Sequence, residues 1–228
     1  TDVSSLYNSY DSQLALHGGA GSGGVNLGQG LVGWWPLNGN AKDSTPYSDD
    51  GTPAGATQVA DREGRSNSAF SFTGSSGSWL NFGNASILQQ SQGTLSAWIK
   101  TSSTAAAYYA IFAKQNAYGM FVYGGNLVAY DWGTASRRDS GFSVADNSWH
   151  MVTMSYRSGV TNGTILYVDG AAKLTTTMTI TNQTVNLSLS SGNTSGTSQN
   201  LNGQIDDARF WNRALSASEV SQLHNTYN

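Results

Sequence analysis

Residues 203–216 read GQIDDARFWNRALS, and this stretch near the C terminus decides the fold. Its apolar and polar residues alternate, as they do in a β-strand with one buried face, so we expect a strand over residues 204–211. Strict alternation would place Asp206 and Asp207 on opposite faces of that strand. The two carboxylates are then unable to act on one bond, and the sequence predicts no acid/base dyad here.

The amino-acid composition excludes several classes of function for this protein. The 228 residues carry 11% charged side chains and a net charge of −3, and this length suits one main domain. No basic stripe marks a nucleic-acid binder, because Arg137 and Arg138 are followed at once by Asp139. No cysteine is present, which excludes disulfides and thiolate metal sites. No apolar run approaches the roughly 18 residues of a membrane span, so a membrane anchor is expected only in a segment preceding Thr1.

The chain is predicted to divide at residue 31. Residues 3–17 carry apolar side chains at three- and four-residue steps, which indicates a short amphipathic helix. Residues 18–30 contain seven glycines and are predicted to form a flexible tether. The expected domains are therefore a helix and tether over residues 1–30 and a β-rich body over residues 31–228. The alternative is a helix that packs directly on the body.

The body contains eleven short segments with strand patterns. They read LVGWWPL, SAFSFTG, WLNFG, TLSAWIK, AIFAK, GMFVYG, NLVAYDW, HMVTMSY, TILYVDG, VNLSLS and QIDDARFWN. Turn pairs such as Asn162-Gly163 separate them. A second helix is expected over residues 216–227, because Ser216 and Glu219 have the spacing of a capping box. Since so many strands need protected edges, a two-sheet sandwich or jelly roll is the expected architecture.

Four segments in order resemble the signature strands of the laminin-G-like domains of the concanavalin A-like lectin and glucanase superfamily. They are LVGWWPLNGNAKDSTPYSDDGT, TLSAWIK, SWHMVTMSY followed by LYVDG, and GQIDDARFWNRALSASEV. The resemblance covers residues 31–227. It implies an all-β, two-sheet antiparallel jelly-roll sandwich with the last strand near the first. The helix patterns of residues 3–17 and 216–227 add a short helix at each end of the chain. It does not define the ligand, because this fold hosts lectins, hydrolases, adhesion modules and scaffolds.

The same resemblance implies a structural Ca²⁺ site. In the wider superfamily, the aspartate three residues before the arginine of the terminal strand often binds Ca²⁺, and Asp206 with Arg209 matches that position. Because Ca²⁺ takes six to eight oxygen ligands, Asp43 and Asp50 in KDSTPYSDDG are candidates to complete the site. The alternative is that these aspartates cap turns through their own backbone.

The sequence favours a protein that is not an enzyme. Glycoside hydrolysis usually needs two carboxyl groups flanking the scissile bond. The only glutamates are Glu63, in a polar turn, and Glu219, in the predicted helix cap, and neither shares a strand with a second acid. His17, His150 and His224 show no metal or triad spacing.

Residues 105–142 are the best candidate for a ligand-binding surface, because they combine several tyrosines and a tryptophan with polar side chains. Sugar faces stack on aromatic rings while their hydroxyls need hydrogen-bond partners. Tyr123, Tyr130, Trp132 and Arg137 are the predicted ligand-binding residues. The alternative is that these aromatic residues are core, which is common in strands.

Two functions are compatible with these patterns. The first is a non-catalytic, extracellular domain for adhesion or recognition at the cell surface. A helix and tether before a β-rich body resemble a type IV pilin-like subunit with a globular head, and the partners would be a glycan, a surface protein of a host or partner cell, and other pilus subunits. The alternative is a carbohydrate-binding module of a polysaccharide-active enzyme, or such an enzyme itself.

Overall fold

The computed structural model describes residues 25–181 and 183–226 and confirms the all-β jelly-roll sandwich. The predicted helix over residues 3–17, and the predicted tether as far as residue 24, lie outside the described residues. Within the described ranges, no helix is both long enough and apolar enough to span a bilayer.

Fifteen strands are present in the described part of the chain. They are β1 (Leu31–Trp35), β2 (Thr52–Ala54), β3 (Thr57–Val59), β4 (Ala69–Thr73), β5 (Trp79–Asn81), β6 (Gln92–Thr101), β7 (Tyr108–Lys114), β8 (Tyr118–Tyr123), β9 (Asn126–Asp131), β10 (Ser136–Ser143), β11 (Trp149–Arg157), β12 (Thr164–Val168), β13 (Ala171–Thr176), β14 (Leu187–Leu189) and β15 (Asn202–Trp211). A short 3-10 helix spans Ser86–Leu88, and an α-helix spans Ala217–Thr226.

The strands form two antiparallel sheets that pack face to face. An eight-stranded sheet has the order β13-β12-β11-β6-β15-β4-β3, with β1 also paired to β15. A seven-stranded sheet has the order β10-β9-β8-β7-β14-β5-β2. Side chains from the two inner faces form the main core, whose largest buried members include Trp35, Phe72, Phe112, Tyr118 and Phe210. All eleven predicted segments are strands, and the last strand lies beside the first, as the resemblance implies.

A β-bulge interrupts the last strand. Against β6, Asp206 pairs with Trp98 and Arg209 with Ser96, so two residues of β15 oppose one of β6. Asp207 has a positive φ of 48°, a backbone conformation that aspartate tolerates better than most residues. This extra residue breaks the alternation of side chains along the strand.

The bulge corrects the prediction that Asp206 and Asp207 lie on opposite faces. Ile205 and Ala208 both belong to the inner core, so Asp206 and Arg209 face outward. The Asp207 carboxylate accepts a hydrogen bond from Nε of Arg209 at 3.0 Å and another from Nε1 of Trp34 at 2.7 Å. Both carboxylates therefore lie on the outer side of the eight-stranded sheet.

A second apolar cluster covers the outer face of this sheet. Val220 and Leu223 of the C-terminal helix pack there with Trp211 and Leu27. The indole Nε1 of Trp211 donates a hydrogen bond to the Leu27 carbonyl at 2.7 Å. Residues 25–30 thus pack against the body, and this described end of the predicted tether is not free.

The C-terminal helix begins with the predicted capping box. The Ser216 backbone N–H donates to Oε2 of Glu219 at 2.7 Å, and the Glu219 N–H donates to Oγ of Ser216 at 3.3 Å. Glu219 also pairs with Arg213 at 2.6 Å. The cap fixes where the helix starts, which brings Val220 onto the sheet.

His150 joins the start of β11 to the turn between β12 and β13. Its Nδ1 lies 2.8 Å from Oδ2 of Asp169 and its Nε2 lies 3.2 Å from Oδ1 of Asp146. Asp169 also accepts from the Met151 N–H at 2.9 Å. Burial lowers the pKa of His150, but the hydrogen bonds and charges of the two aspartates outweigh it and raise the pKa above its ordinary value.

We expect His150→Gln to destabilise the domain by about 1 kcal/mol near pH 5.5 and by less near pH 9. A raised folded pKa means that protonated His150 contributes its full stability below the unfolded pKa of about 6.5 and loses it as pH rises through the folded pKa. Urea unfolding of both proteins at the two pH values measures the difference. Asp169→Asn should remove the same pH dependence, and a loss in His150→Gln that is equal at both pH values would contradict the assignment.

Candidate aromatic binding site

Aromatic rings cover the outer face of the seven-stranded sheet. On neighbouring strands β7, β8 and β9, outward positions are two residues apart, which places Tyr108, Tyr123 and Tyr130 on one side. A small buried layer that includes Phe121 lies beneath these rings, and Trp132 packs against the same layer. These five side chains are called the ring cluster below.

The ring cluster is held together by aromatic contacts. Tyr108 lies at its centre, with ring centroids 4.8 Å from Tyr123, 5.6 Å from Phe121 and 5.4 Å from Tyr130. Tyr130 meets Trp132 edge to face at 5.1 Å. Edge-to-face and tilted pairs are the favoured geometries, so the cluster presents a fixed aromatic surface.

A cavity of about 220 Å³ opens between this cluster and a loop over residues 191–200. One wall is aromatic and is formed by Tyr108, Phe121, Tyr130 and Trp132. The other wall is polar and is formed by Gln115, Gly192, Asn193, Ser198 and Gln199. The cavity thus combines ring faces with carboxamide and hydroxyl groups.

The loop that forms the polar wall is held in place by buried hydrogen bonds. Nδ2 of Asn200 donates to the Ser190 carbonyl at 2.8 Å and to the Ser78 carbonyl at 3.2 Å. The Gln199 carbonyl accepts from the Ala110 N–H of β7 at 2.7 Å. A wall already ordered in this way needs little further ordering when a ligand binds.

Charged groups near the cavity are paired with one another. The Arg137 guanidinium lies 3.9 Å from the centre of the Tyr123 ring and pairs with Asp139 at 3.5 Å. Arg138 pairs with the buried Asp131 at 3.0 Å. No charged side chain of the described residues lines the cavity.

The structure brings the four predicted ligand-binding residues together but gives them different positions. Tyr130 and Trp132 line the cavity, whereas Tyr123 lies beside Tyr108, and Arg137 stacks on Tyr123. Ligand binding by these four residues stays a prediction. The polar wall was not predicted, because residues 191–200 show only the composition of a turn.

The loop after β1 organises itself around Asp43, one of the predicted metal ligands. Its Oδ1 accepts from the N–H groups of Trp34 and Thr45, each at 2.9 Å. Its Oδ2 accepts from Oγ1 of Thr45 at 2.7 Å and from the Asp49 N–H at 3.1 Å. Asp50 accepts from the Asp43 N–H at 2.9 Å. These contacts are those of the turn-capping alternative.

Asp206 is buried and forms an ion pair with Arg62. The Arg62 guanidinium also lies 4.8 Å from the centre of the Trp98 ring. Burial, and after it the charge of Asp207, raises the pKa of Asp206 to about 7, although Arg62 opposes this shift.

In the part of the chain that the structure describes, no three acidic, histidine or cysteine side chains come together in a group that could hold a metal ion. The positions of Asp206 and Asp43 do not fit a Ca²⁺ site of six to eight oxygens. The Asp206 carboxylate is paired with Arg62, and the Asp43 carboxylate already accepts four hydrogen bonds. Calcium binding stays a prediction that requires Arg62 to move.

The two antiparallel sheets and the core between them define the class of the protein as an all-β jelly-roll sandwich. The chain belongs to the concanavalin A-like lectin/glucanases superfamily, since the Laminin_G_3 model of that superfamily matches residues 73–221. No curated protein matches the chain.

Solved structures with the same fold include clostridial toxin domains. The binding domain of Paraclostridial Mosquitocidal Protein 1 is 17% identical, with a TM-score of 0.68 over 87% of this chain and 52% of that one. The receptor binding domain of botulinum neurotoxin C/D mosaic serotype is 18% identical, with a TM-score of 0.67 over 88% and 52%. The corresponding domain of botulinum neurotoxin type G is 15% identical, with a TM-score of 0.63 over 87% and 52%. This chain spans about half the length of those chains, and the likeness shows the fold alone.

We expect any stabilisation by Ca²⁺ to be larger in Arg62→Gln than in the wild-type protein, because the ion must compete with the guanidinium for Asp206. A bound ion adds about 2.7 kcal/mol when free Ca²⁺ is about a hundred times its dissociation constant. Thermal melts in Ca²⁺ and in chelator measure the effect, and Asp206→Asn should abolish it. A response that survives Asp206→Asn would place the ion elsewhere, and no response in any of the three proteins would end the calcium prediction.

Proposed function

We propose that this chain is a non-catalytic binding domain that holds a glycan in the cavity beside the ring cluster. The observation that supports the proposal is the pairing of an aromatic wall with a wall of carboxamides and hydroxyls. A sugar ring has an apolar face of C–H groups and an edge of hydroxyls, so the two walls match its two kinds of surface.

The placement of the acids supports binding and not hydrolysis. Asp131, which precedes Trp132, is buried and accepts from Arg138 and from Oγ1 of Thr134. The glutamates lie in ion pairs elsewhere: Glu63 contacts Arg65 at 3.0 Å in the turn before β4, and Glu219 caps the helix. No acid lines the cavity among the described residues, so the two carboxyl groups that glycoside hydrolysis usually needs do not meet there.

The toxin domains that share the fold also support a binding role. Their names describe receptor-binding or binding domains, and we extend that role to this chain as part of the proposal. The partner is then a glycan or a glycosylated protein on a cell surface. We further propose an extracellular location, where such a partner is accessible.

A pilin-like head, with other pilus subunits as partners, is the finer form of this hypothesis. It rests on the helix pattern of residues 3–17 and the glycines after it, and residues 1–24 lie outside the described residues. Electron microscopy of purified surface filaments with antibodies against the jelly roll would test it, and antibodies that label intact cells but no filament would favour a different surface attachment.

We expect Trp132→Ala to weaken glycan binding at least about tenfold, because removing a ring from the aromatic wall costs about 1.4 kcal/mol or more. A glycan array identifies the ligand, and isothermal titration calorimetry measures the affinities of both proteins for it.

Tyr47→Ala is the matched control, since Tyr47 is 50% exposed on the loop after β1 and far in sequence from the ring cluster. It should bind as the wild type does. Equal affinity of Trp132→Ala and wild type for every glycan on the array would exclude the cavity as the binding site.

We expect the purified domain to hydrolyse none of a panel of β-glucans, alginates, chitin and sialosides. Among the described residues no carboxyl group lines the cavity, so we expect neither a general acid nor a nucleophile beside a sugar bound there. Reducing-end assays over long incubations measure turnover. Release of sugar that disappears on Asp131→Asn, in a variant that still melts cooperatively, would show that the domain is an enzyme.

A further inference from the structure

We infer that the cavity selects an uncharged sugar unit, whose hydroxyls are bound by the carboxamides of Gln115 and Gln199. This inference rests on the proposed function and names the class of glycan. Three features of the cavity carry it: the absence of charged side chains among the described residues of its walls, the free carboxamides of Gln115 and Gln199, and its size.

Among the residues that the structure describes, no charged side chain lines the walls to compensate an acidic sugar. An anionic group that enters a partly buried cavity without a cation loses hydration that nothing replaces. The nearest guanidiniums already have partners, since Arg138 is held by the buried Asp131 and Arg137 by Asp139 and the Tyr123 ring. Neither arginine lines the cavity, so an acidic sugar unit inside it would find no cation on the described walls.

Two carboxamides of the polar wall, those of Gln115 and Gln199, have unused hydrogen-bonding capacity. Among the described residues, the side-chain amides of Gln115 and Gln199 make no hydrogen bond, although both line the cavity. A carboxamide offers two donors and an acceptor, and a sugar hydroxyl both donates and accepts. Such groups match neutral hydroxyls better than they match an anion, which only accepts.

Gly192 determines where the Gln199 carboxamide lies. A Cβ atom at position 192 would stand 1.7 Å from Oε1 of Gln199 and 2.7 Å from its Cδ, so the Gln199 side chain lies directly over this glycine. The backbone of Gln199 is fixed independently by its hydrogen bond to Ala110. Gly192 is therefore a positioning residue for the carboxamide.

The size of the cavity limits how much of a glycan enters. Pockets for drug-sized ligands typically measure about 300 to 1,000 Å³, whereas this cavity measures about 220 Å³. One sugar unit is therefore expected between the ring cluster and the polar wall, with the rest of the glycan outside. The bound unit is then a terminal or branching residue of the chain.

A glycan array followed by calorimetry on the best neutral ligand tests the inference. We expect the array to show neutral glycans, with an affinity that changes less than about twofold between about 50 and about 500 mM NaCl, because no ion pair forms. Gln199→Ala and Gln199→Glu should each weaken binding about tenfold, the second because a carboxylate keeps the shape but loses the donors. Gly192→Ala should do the same by displacing the carboxamide.

Gln58→Ala is the matched control, because Gln58 is an exposed glutamine on β3 at an edge of the other sheet, and it should bind as the wild type does. Thermal melts of all variants check folding. Binding confined to sialylated or sulfated glycans, weakened by salt and lost in Arg137→Gln, would overturn this inference and leave glycan binding intact. Binding to no glycan at all would overturn the proposed function itself.

Discussion

The sandwich depends on the position of β15, the last strand in the chain, inside the eight-stranded sheet. One edge of β15 pairs with β6 along its length, and the other edge pairs first with β4 and then with β1. The change of partner falls between Ile205 and Ala208, where the bulge at Asp207 lies. The extra residue changes the direction of the strand locally, so that the same edge of β15 can pair with β4 before the bulge and with β1 after it.

This arrangement makes the fold strongly non-local. β1 and β4 reach their places in the sheet only when β15, which follows them by more than a hundred residues, has been added between them and β6. The Trp211 indole then fixes residues 25–30 through the Leu27 carbonyl. Because loop closure precedes the gain from such contacts, slow folding is the expected consequence of this topology.

The sequence predicted the buried strands and missed the edges. The four strands that carried no pattern, β2, β3, β10 and β13, are the strands at the ends of the two sheet orders. An edge strand packs few side chains against a core, and their burial patterns are mostly exposed or intermediate. Alternation cannot mark a strand whose two faces are both accessible, so only tertiary pairing identifies these four.

The bulge shows the same limit inside a strand that was predicted correctly. Strict alternation assigns Asp207 to the inner face, yet its positive φ turns the carboxylate toward Arg209 and the Trp34 indole on the outer face. Nor does any local pattern connect Arg62 with Asp206, since the two residues lie in distant parts of the sequence. The pairing of the buried Asp206 carboxylate with the charge of Arg62 was therefore not predictable from the residues near Asp206 in the sequence.

The candidate site also contains some residues that the local sequence pattern predicts and others that only tertiary contacts bring into place. The sequence predicted Tyr123 and Tyr130 as ligand-binding residues, but alternation within a strand does not show that Tyr108 of β7 pairs with Tyr123 of β8. The polar wall could not be predicted, because the loop that carries Gln199 is positioned by contacts with residues distant in the sequence, among them Ala110 of β7 and Ser78. A turn-like composition does not predict where the side chains of residues 115 and 199 point.

The two outer faces of the sandwich explain where a partner has room to bind. On the eight-stranded sheet, the C-terminal helix and residues 25–30 cover Trp211 and its apolar neighbours, so the chain itself buries that face. On the seven-stranded sheet, Tyr108, Tyr123, Tyr130 and Trp132 stay partly exposed above a thin buried layer. The carboxamides of Gln115 and Gln199 beside them make no hydrogen bond within the described residues. Burying exposed aromatic surface against a partner is favourable, and the carboxamides beside it can exchange water for hydrogen bonds to that partner. Within the described residues, the proposed glycan site therefore lies on the face that the chain leaves uncovered.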